Sequence, residues 1–205
     1  MPVGNDVVDL RAPYNQPAVL HARFDRRVFD GQEHGLLSAA SDVEARHRLR
    51  WTMWAAKEAA LKYLRQVEPG LPFRPRELVV RLVSTASGQV VHRGTELDVT
   101  LDVTPARVHA VVTGPWAAGD APGAGARTGV ARTSRRTNAS AEVRRLAAQE
   151  IGRLLRIRAA TIEIDGTARS APRACRDGQV LPVELSLSHD GSWLASAILP
   201  RAAVS

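Results

Sequence analysis

The chain has 205 residues, enough for one large domain or two small ones, with the 44% hydrophobic and 24% charged content of an ordinary globular protein. It has no apolar run near the ~20 residues of a membrane span, no evident signal peptide and one cysteine, so we expect a cytoplasmic protein with no membrane partner and no internal disulfide. The net charge of +7 favours an anionic partner: a nucleic acid, an acidic protein surface or a polyphosphate ligand.

The first predicted element is a short buried strand over residues 3–10, in which Asp6 and Asp9 interrupt an apolar pattern. A carboxylate within an apolar strand is costly unless it is paired or metal-bound. Asp9 stands at the end of the strand and is interpreted as a cap of the next turn, whereas Asp6 is a candidate ligand. Residues 17–29 are then predicted to be helical, and two glycines break the pattern after them.

The longest predicted element is a helix from Ser41, its N-cap, to about Val67, with Glu44 completing a capping box. Strands are predicted over 77–84, 90–93, 97–103 and 107–113. The third of these strands alternates apolar and polar residues, as half-buried antiparallel strands do. The first part of the chain, to residue 114, is therefore predicted as a strand, helices and a meander.

The long helix carries the only two lysines of the chain, Lys57 and Lys62, on either side of Glu58. Every other basic side chain is arginine, so the pattern indicates a site that needs a compact ammonium group. Trp54, Glu58 and Lys62 are four residues apart and share one face of the helix. The plain alternative is a solvent-exposed Glu58–Lys62 pair that stabilises the helix by a few tenths of a kcal/mol.

Residues 115–139 are rich in Gly, Ala, Pro, Thr and Arg without periodicity, which is typical of a flexible linker. The elements predicted after it are a helix capped by Ser140, a strand over 161–164, a basic loop, and a hairpin with arms 183–189 and 192–199 joined by Asp190-Gly191. In the first arm Leu185 and Leu187 face the core, so Ser186 and Ser188 share the other face.

Three motifs stand in a predicted strand, a helix and a hairpin. They are Gly4-Asn5-Asp6, Trp54-x-x-Lys57-Glu58-Ala59-x-x-Lys62 and Ser186-Leu187-Ser188-His189. Together they resemble the 4′-phosphopantetheinyl transferase superfamily, whose hallmarks are a G-x-D strand, a W-x-x-K-E-A-x-x-K helix and an S-x-S-H hairpin. The resemblance covers both ends of the chain and implies an α+β fold of two pseudo-symmetric lobes, each a long helix packed on a small, mainly antiparallel sheet.

The resemblance implies an enzyme that transfers the 4′-phosphopantetheine arm of coenzyme A to a serine of an apo carrier protein and releases 3′,5′-ADP. It implies Mg²⁺ held by Asp6 and Glu58, with Glu58 also a candidate general base, directly or through a water. It further implies that Lys62 holds the pyrophosphate and that Ser188 and His189 contact the coenzyme A phosphates. Carrier domains of this kind are acidic around the target serine, which suits the basic chain.

Two positions depart from the family pattern. Many two-lobed members have a second acid where this chain has Val8, so a water is expected to complete the metal shell. Ala171 replaces the basic residue that often precedes the proline of the G-x-P loop, and Arg169 or Arg173 is expected to bind coenzyme A in its place. Lys57 lies about 100° round the helix from Glu58, so a phosphate contact and a structural ion pair are both open.

The order of the motifs is also unusual, because two-lobed members place the S-x-S-H lobe first and this chain places it last. We interpret residues 1–114 and 140–205 as swapped lobes of a circularly permuted monomer, rejoined by the 115–139 linker, with the site in the cleft between them. The alternative is a lengthened single-lobed enzyme that forms trimers, against which the second capped helix argues.

Two other functions are considered. A nucleic-acid binder could use the Arg-rich 127–158 region, but this region lacks stacking aromatics and leaves the carboxylates and lysines unexplained. An inactive carrier-binding module is disfavoured by the intact set Asp6, Glu58, Lys62 and His189. The sequence does not indicate whether fatty-acid, polyketide or nonribosomal peptide synthesis is served.

Overall fold

The computed structural model describes residues 1–114, 125–133, 138–166 and 171–201. The helices are α1 (Phe24–Val28), α2 (Gly31–Ala39), α3 (Val43–Val67) and α4 (Ala139–Leu155). The strands are β1 (Gly4–Asp9), β2 (Val79–Leu82), β3 (Ser87–His92), β4 (Thr95–Val103), β5 (Arg107–Thr113), β6 (Arg127–Arg132), β7 (Glu163–Asp165), β8 (Arg173–Arg176), β9 (Gln179–Val180), β10 (Val183–Asp190) and β11 (Trp193–Pro200). Within these ranges no helix is long and apolar enough to cross a membrane.

The first lobe is a five-stranded antiparallel sheet in the order β1-β5-β4-β3-β2, with α3 packed on one face. Small residues let the helix approach the sheet closely, since four alanines of α3, at positions 55, 56, 59 and 60, are fully buried. The contact is tightest at Gly4, where a Cβ atom would lie 2.0 Å from the Ala59 carbonyl oxygen. Glycine is therefore required in β1 at the point where this strand crosses α3.

The second lobe repeats the same connections on a smaller scale. Its sheet has the order β10-β11-β6, and α4 packs on it through Ala147 and Ile151 against Leu185 and Ile198. In each lobe a first strand leads into a long helix, and the last strand of the lobe returns to pair with the first: β5 with β1, and β11 with β6. The predicted α+β fold of two pseudo-symmetric lobes is confirmed. A separate small sheet, β7-β8-β9, extends the second lobe.

Strand β6 was not predicted, since it lies inside the stretch 115–139 that the sequence indicated as a linker. Its residues Arg127–Arg132 have no apolar alternation and become a strand by pairing along β11. The end of the predicted linker is also revised, because Asn138 caps α4 with its side chain and the helix begins at Ala139. Residues 115–124 and 134–137 of the predicted linker lie outside the described residues.

The region before α3 also differs from the sequence prediction. Only Phe24–Val28 of the predicted helix 17–29 is an α-helix, and α2 follows where two glycines had indicated a break. A capping box explains α2, since Asp30 accepts from the Glu33 N–H and Glu33 accepts from the Asp30 N–H. The N-cap of α3 is Asp42 and not Ser41, because the Asp42 carboxylate accepts from the Ala45 N–H.

The two lobes meet along β1 and β10. Strand β1 is the edge strand of its sheet, and three of its backbone N–H groups donate to side chains of β10. The bonds join Asn5 N to Ser186 Oγ (2.9 Å), Val7 N to Ser188 Oγ (3.2 Å) and Asp9 N to Asp190 Oδ2 (2.8 Å). Side chains of β10 thus cover the edge of β1 without pairing backbone to backbone. The face shared by Ser186 and Ser188 is the one that contacts the first lobe.

Candidate active site

Two carboxylates from different elements of the first lobe come together at the seam between the lobes. Asp6 in β1 and Glu58 in α3 line one cavity of about 170 Å³, whose walls include Trp51 and Trp54. The Lys62 ammonium lies 2.9 Å from Asp6 Oδ1 and also donates to the Asn5 carbonyl oxygen at 2.9 Å. The structure therefore brings together the strand and helix residues that the sequence indicated as a site.

Glu58 has an unusual affinity for protons. Burial raises the pKa of its carboxyl to about 7, and the negative charge of Asp6 adds to the rise. The positive charges of Lys62 and Arg65 act in the opposite direction but do not cancel it. A carboxylate in this position gains from a nearby cation, and near neutral pH it can exchange a proton.

A larger cleft of about 580 Å³ begins at the same residues and runs between the lobes. Glu58, Lys62 and Arg65 line it from the first lobe, and Arg144 and His189 line it from the second. Arg65 and Arg144 were not predicted as site residues. A basic side chain on a helix face gives no local signal of its role, and only the meeting of the two lobes at the cleft brings Arg144 near the site residues of α3.

His189 lies where the two cavities meet, because its exposed side chain lines both of them. It follows Ser188 in β10 and projects to the opposite side of that strand. The structure therefore places His189 within the cleft, as the motif predicted.

Ser188 is buried at the seam between the lobes and does not line the cleft. Its side chain is buried, its hydroxyl donates to Asp6 Oδ1 at 2.7 Å, and its oxygen accepts the Val7 N–H. The hydroxyl hydrogen is therefore already used by the metal-site candidate Asp6.

Lys57, which was a candidate for coenzyme A binding, lies in the core and not in the cleft. Its ammonium forms a fully buried ion pair with Glu33 at 2.7 Å and donates to the carbonyl oxygens of Pro75 and Leu78. Desolvation lowers the pKa of Lys57, while the Glu33 carboxylate opposes this change. Of the two roles left open by the sequence, the structural ion pair is the one observed.

Arg173 also differs from its predicted role, since it stands in strand β8 with an exposed side chain and does not line the cleft. It became part of a strand because it pairs with Asp165 of β7, a long-range contact that the basic loop did not indicate. Its neighbour Pro172 does reach the cleft. Arg169, the alternative candidate, lies outside the described residues.

Asp9, next to the site, is structural, whereas Val8 is buried and also lines the cavity of Asp6 and Glu58. Asp9 accepts from the backbone N–H groups of Arg11 and Ser192, both at 2.9 Å, and so holds the turn after β1 and the tip of the β10–β11 hairpin. The predicted capping role of Asp9 is confirmed. Val8 is buried in the core of the first lobe.

The donor set of the site fits a hard cation that completes its shell elsewhere. No group of three or more His, Cys, Asp and Glu side chains is arranged to hold a metal in the part of the chain that the structure describes. Asp6 and Glu58 form a pair, and their mutual repulsion is relieved when a cation sits between them. Mg²⁺ commonly binds through one or two carboxylates together with waters and substrate phosphates, which is the arrangement this pair permits.

The chain is similar to known proteins over part of its length. No curated protein matches the chain. A solved structure described as apo-ACPS from Chronobacterium ammoiniagenes has 20% sequence identity, 54% coverage of this chain, 92% coverage of its own chain and a TM-score of 0.45. The family model of the 4′-phosphopantetheinyl transferase superfamily matches residues 2–113, which include Asp6, Glu58 and Lys62. The chain belongs to the 4′-phosphopantetheinyl transferase superfamily.

Proposed function

We propose that this protein transfers the 4′-phosphopantetheine arm of coenzyme A to a serine of an apo carrier protein and releases 3′,5′-ADP. The observation that carries the proposal is the meeting of Asp6, Glu58 and Lys62 at one end of a basic cleft between the lobes. A pyrophosphate needs positive charge along its length, and a hydroxyl nucleophile needs a proton acceptor at the reacting end. The cleft offers both.

The two cavities differ in volume, so each would bind a different substrate. The cleft of about 580 Å³ is within the range of small-molecule sites and takes coenzyme A, with Lys62, Arg65 and Arg144 beside the phosphates. The cavity of about 170 Å³ has room for only a few water-sized groups, and it admits the side chain of the acceptor serine. Glu58 and His189 line both cavities and so stand at the point of transfer.

The proposed reaction makes one bond, breaks one bond and transfers one proton to a residue of the site. The serine oxygen forms a bond to the phosphorus of the pantetheine arm, and the anhydride bond from that phosphorus to 3′,5′-ADP breaks. The electron pair leaves with 3′,5′-ADP, and the serine proton passes to the Glu58 carboxylate, directly or through a water. Without a metal the pKa of Glu58 is raised to about 7, and a bound cation would favour the ionised carboxylate, which is the form that accepts the proton.

Asp6 and Glu58 would hold Mg²⁺, which when bound supplies positive charge to the pyrophosphate in the transition state. Lys62 keeps Asp6 in place through their 2.9 Å ion pair and adds its own charge beside the phosphates. His189 lines the coenzyme A side of the site, and a ring N–H of its imidazole would donate to a phosphate oxygen. Most of the catalysis is then positioning and electrostatic stabilisation by fixed groups.

The proposed enzyme is a monomer with a circularly permuted order of lobes. Glu58 from the first lobe and His189 from the second lobe of the same chain line both cavities, so one chain supplies both sides of the site. The net charge of +7 favours an acidic carrier protein as the partner.

The experiment is to incubate the protein with coenzyme A, Mg²⁺ and a panel of apo carrier proteins, and to measure carrier mass. We expect one carrier to gain the mass of the phosphopantetheine arm. Arg144→Ala should raise the KM for coenzyme A about 10- to 100-fold, since a hydrogen bond to a charged group is worth about 1.5–3 kcal/mol. Arg145→Ala is the matched control, because Arg145 is exposed on the same helix and does not line the cleft. No mass gain in any carrier contradicts the proposal.

A further inference from the structure

The Asp6 carboxylate is held by one of its two oxygens. Asp6 Oδ1 accepts from Ser188 Oγ at 2.7 Å and from Lys62 Nζ at 2.9 Å. No hydrogen bond from a described residue reaches Oδ2. Two donors on one oxygen fix the rotation of the carboxylate and leave the other oxygen for a ligand, in the cavity that Asp6 shares with Glu58.

The hydrogen-bonding capacity of Ser188 is committed to this arrangement. A serine hydroxyl has one hydrogen to donate and two lone pairs that accept. The hydrogen goes to Asp6, and one lone pair accepts the Val7 N–H at 3.2 Å. Ser188 cannot donate to a phosphate of coenzyme A unless it releases Asp6, and at 6% exposure it has little room to turn elsewhere.

The neighbouring seam contacts show that Ser188 does more than join the lobes. Ser186 accepts the Asn5 N–H at 2.9 Å and Asp190 accepts the Asp9 N–H at 2.8 Å, which are the same kind of bond that Ser188 forms with Val7. Among the three β10 side chains of the seam, Ser188 is the one whose hydroxyl also reaches a carboxylate of the site.

We propose that Ser188 is a positioning residue for the metal ligand Asp6, so that the hairpin of the second lobe orients a carboxylate of the first lobe. The inference rests on the proposed function, in which Asp6 and Glu58 hold Mg²⁺. It assigns to Ser188 a role in cation affinity in place of the phosphate contact that its motif implies. Groups that orient metal ligands by hydrogen bonds typically contribute 10- to 100-fold to metal affinity.

The test measures binding of Mn²⁺, as a paramagnetic substitute for Mg²⁺, by the full-length protein with and without coenzyme A. Electron paramagnetic resonance of the free ion gives the dissociation constant without reference to turnover. We expect Ser188→Ala to weaken Mn²⁺ binding about 10-fold or more. Ser186→Ala is the control for Mn²⁺ binding without coenzyme A, because it removes an equivalent seam bond without touching Asp6, while Ser186 itself lines the coenzyme A cleft. Its Mn²⁺ affinity should stay within about twofold of the parent.

Folding of each variant is checked by its thermal unfolding, and Ser188→Cys, which keeps nearly the same shape with a weaker donor, serves if Ser188→Ala does not fold. Equal Mn²⁺ affinities for the Ser188 and Ser186 variants would overturn the inference. A raised KM for coenzyme A in the Ser188 variant would then return Ser188 to the phosphate role. Absence of Mn²⁺ binding by the unaltered protein, with and without coenzyme A, would remove the metal site itself, and the role of Ser188 with it.

Discussion

Replacing Glu58 by Gln should make the protein more stable at alkaline pH while abolishing the proposed phosphopantetheine transfer. Burial and the nearby Asp6 charge raise the pKa of Glu58 from 4.5 to about 7, against the opposing charges of Lys62 and Arg65. In the unfolded chain the carboxyl has its ordinary pKa, so the folded protein binds the extra proton between these values. The stability due to this group is therefore complete below pH 4.5 and is lost as the pH rises through about 7.

The size of the effect follows from the same two values. A tenfold difference in proton affinity corresponds to about 1.4 kcal/mol, so the raised pKa of Glu58 represents about 3 kcal/mol of unfolding free energy lost at high pH. Partial exposure of the side chain to solvent reduces this to about 2–3 kcal/mol. Glutamine resembles the neutral carboxyl and loses nothing as the pH rises, so its advantage over the parent should grow by about 2 kcal/mol between about pH 5 and about pH 8.

Urea unfolding of parent and variant in the presence of a chelator measures this advantage at each pH, and the difference between the two proteins cancels the titration of other groups. Glu44→Gln on the same helix is the matched control, because its exposed pair with Arg48 should be worth less than about 1 kcal/mol. An advantage of Glu58→Gln that does not increase with pH would refute the reasoning. Near-normal phosphopantetheine transfer by the variant would remove Glu58 from both its proposed roles.

Two further predictions concern the frame of the site. Lys57→Met leaves Glu33 buried without its cation and should lower the unfolding free energy by about 3–5 kcal/mol in denaturant titrations. The folded variant should keep an unchanged KM for coenzyme A. A raised KM with full stability would show that Lys57 serves the ligand. Gly4→Ala would place a methyl group against the Ala59 carbonyl oxygen, so thermal unfolding should show a loss of about 1–3 kcal/mol. Gly35→Ala is the control, since a Cβ atom at Gly35 meets nothing within 4 Å and this substitution should leave stability unchanged or raise it. Similar losses of stability at both glycines would contradict the close approach of β1 to α3.

Local patterns were sufficient for much of the fold and for part of the site. The spacing of Glu58 and Lys62 puts both on one face of α3, and the alternation in β10 puts Ser186 and Ser188 on one face, because helix and strand periodicities depend on neighbours in the chain. The same reasoning found the hairpin, with Gly191 at a positive φ of 52° in its turn. It missed β6, whose residues have no periodic signal and become a strand only beside β11.

Local patterns likewise predicted some residues of the candidate site and missed others. Asp6, Glu58, Lys62 and His189 were predicted from their motifs, and the structure brings them to one place. Arg65 and Arg144 were missed because an arginine on a helix has the same local appearance whether it faces solvent or a cleft.

The sequence by itself determined which residue types meet in the candidate site, because these residues stand at spacings that helices and strands convert directly into shared faces. The tertiary structure alone decided how those residues are used. It buries Lys57 against Glu33, since α2 packs beside α3, and it turns Ser188 towards Asp6, since β10 lies along the open edge of β1. Both outcomes depend on contacts between residues far apart in the chain, and no local pattern encodes such contacts.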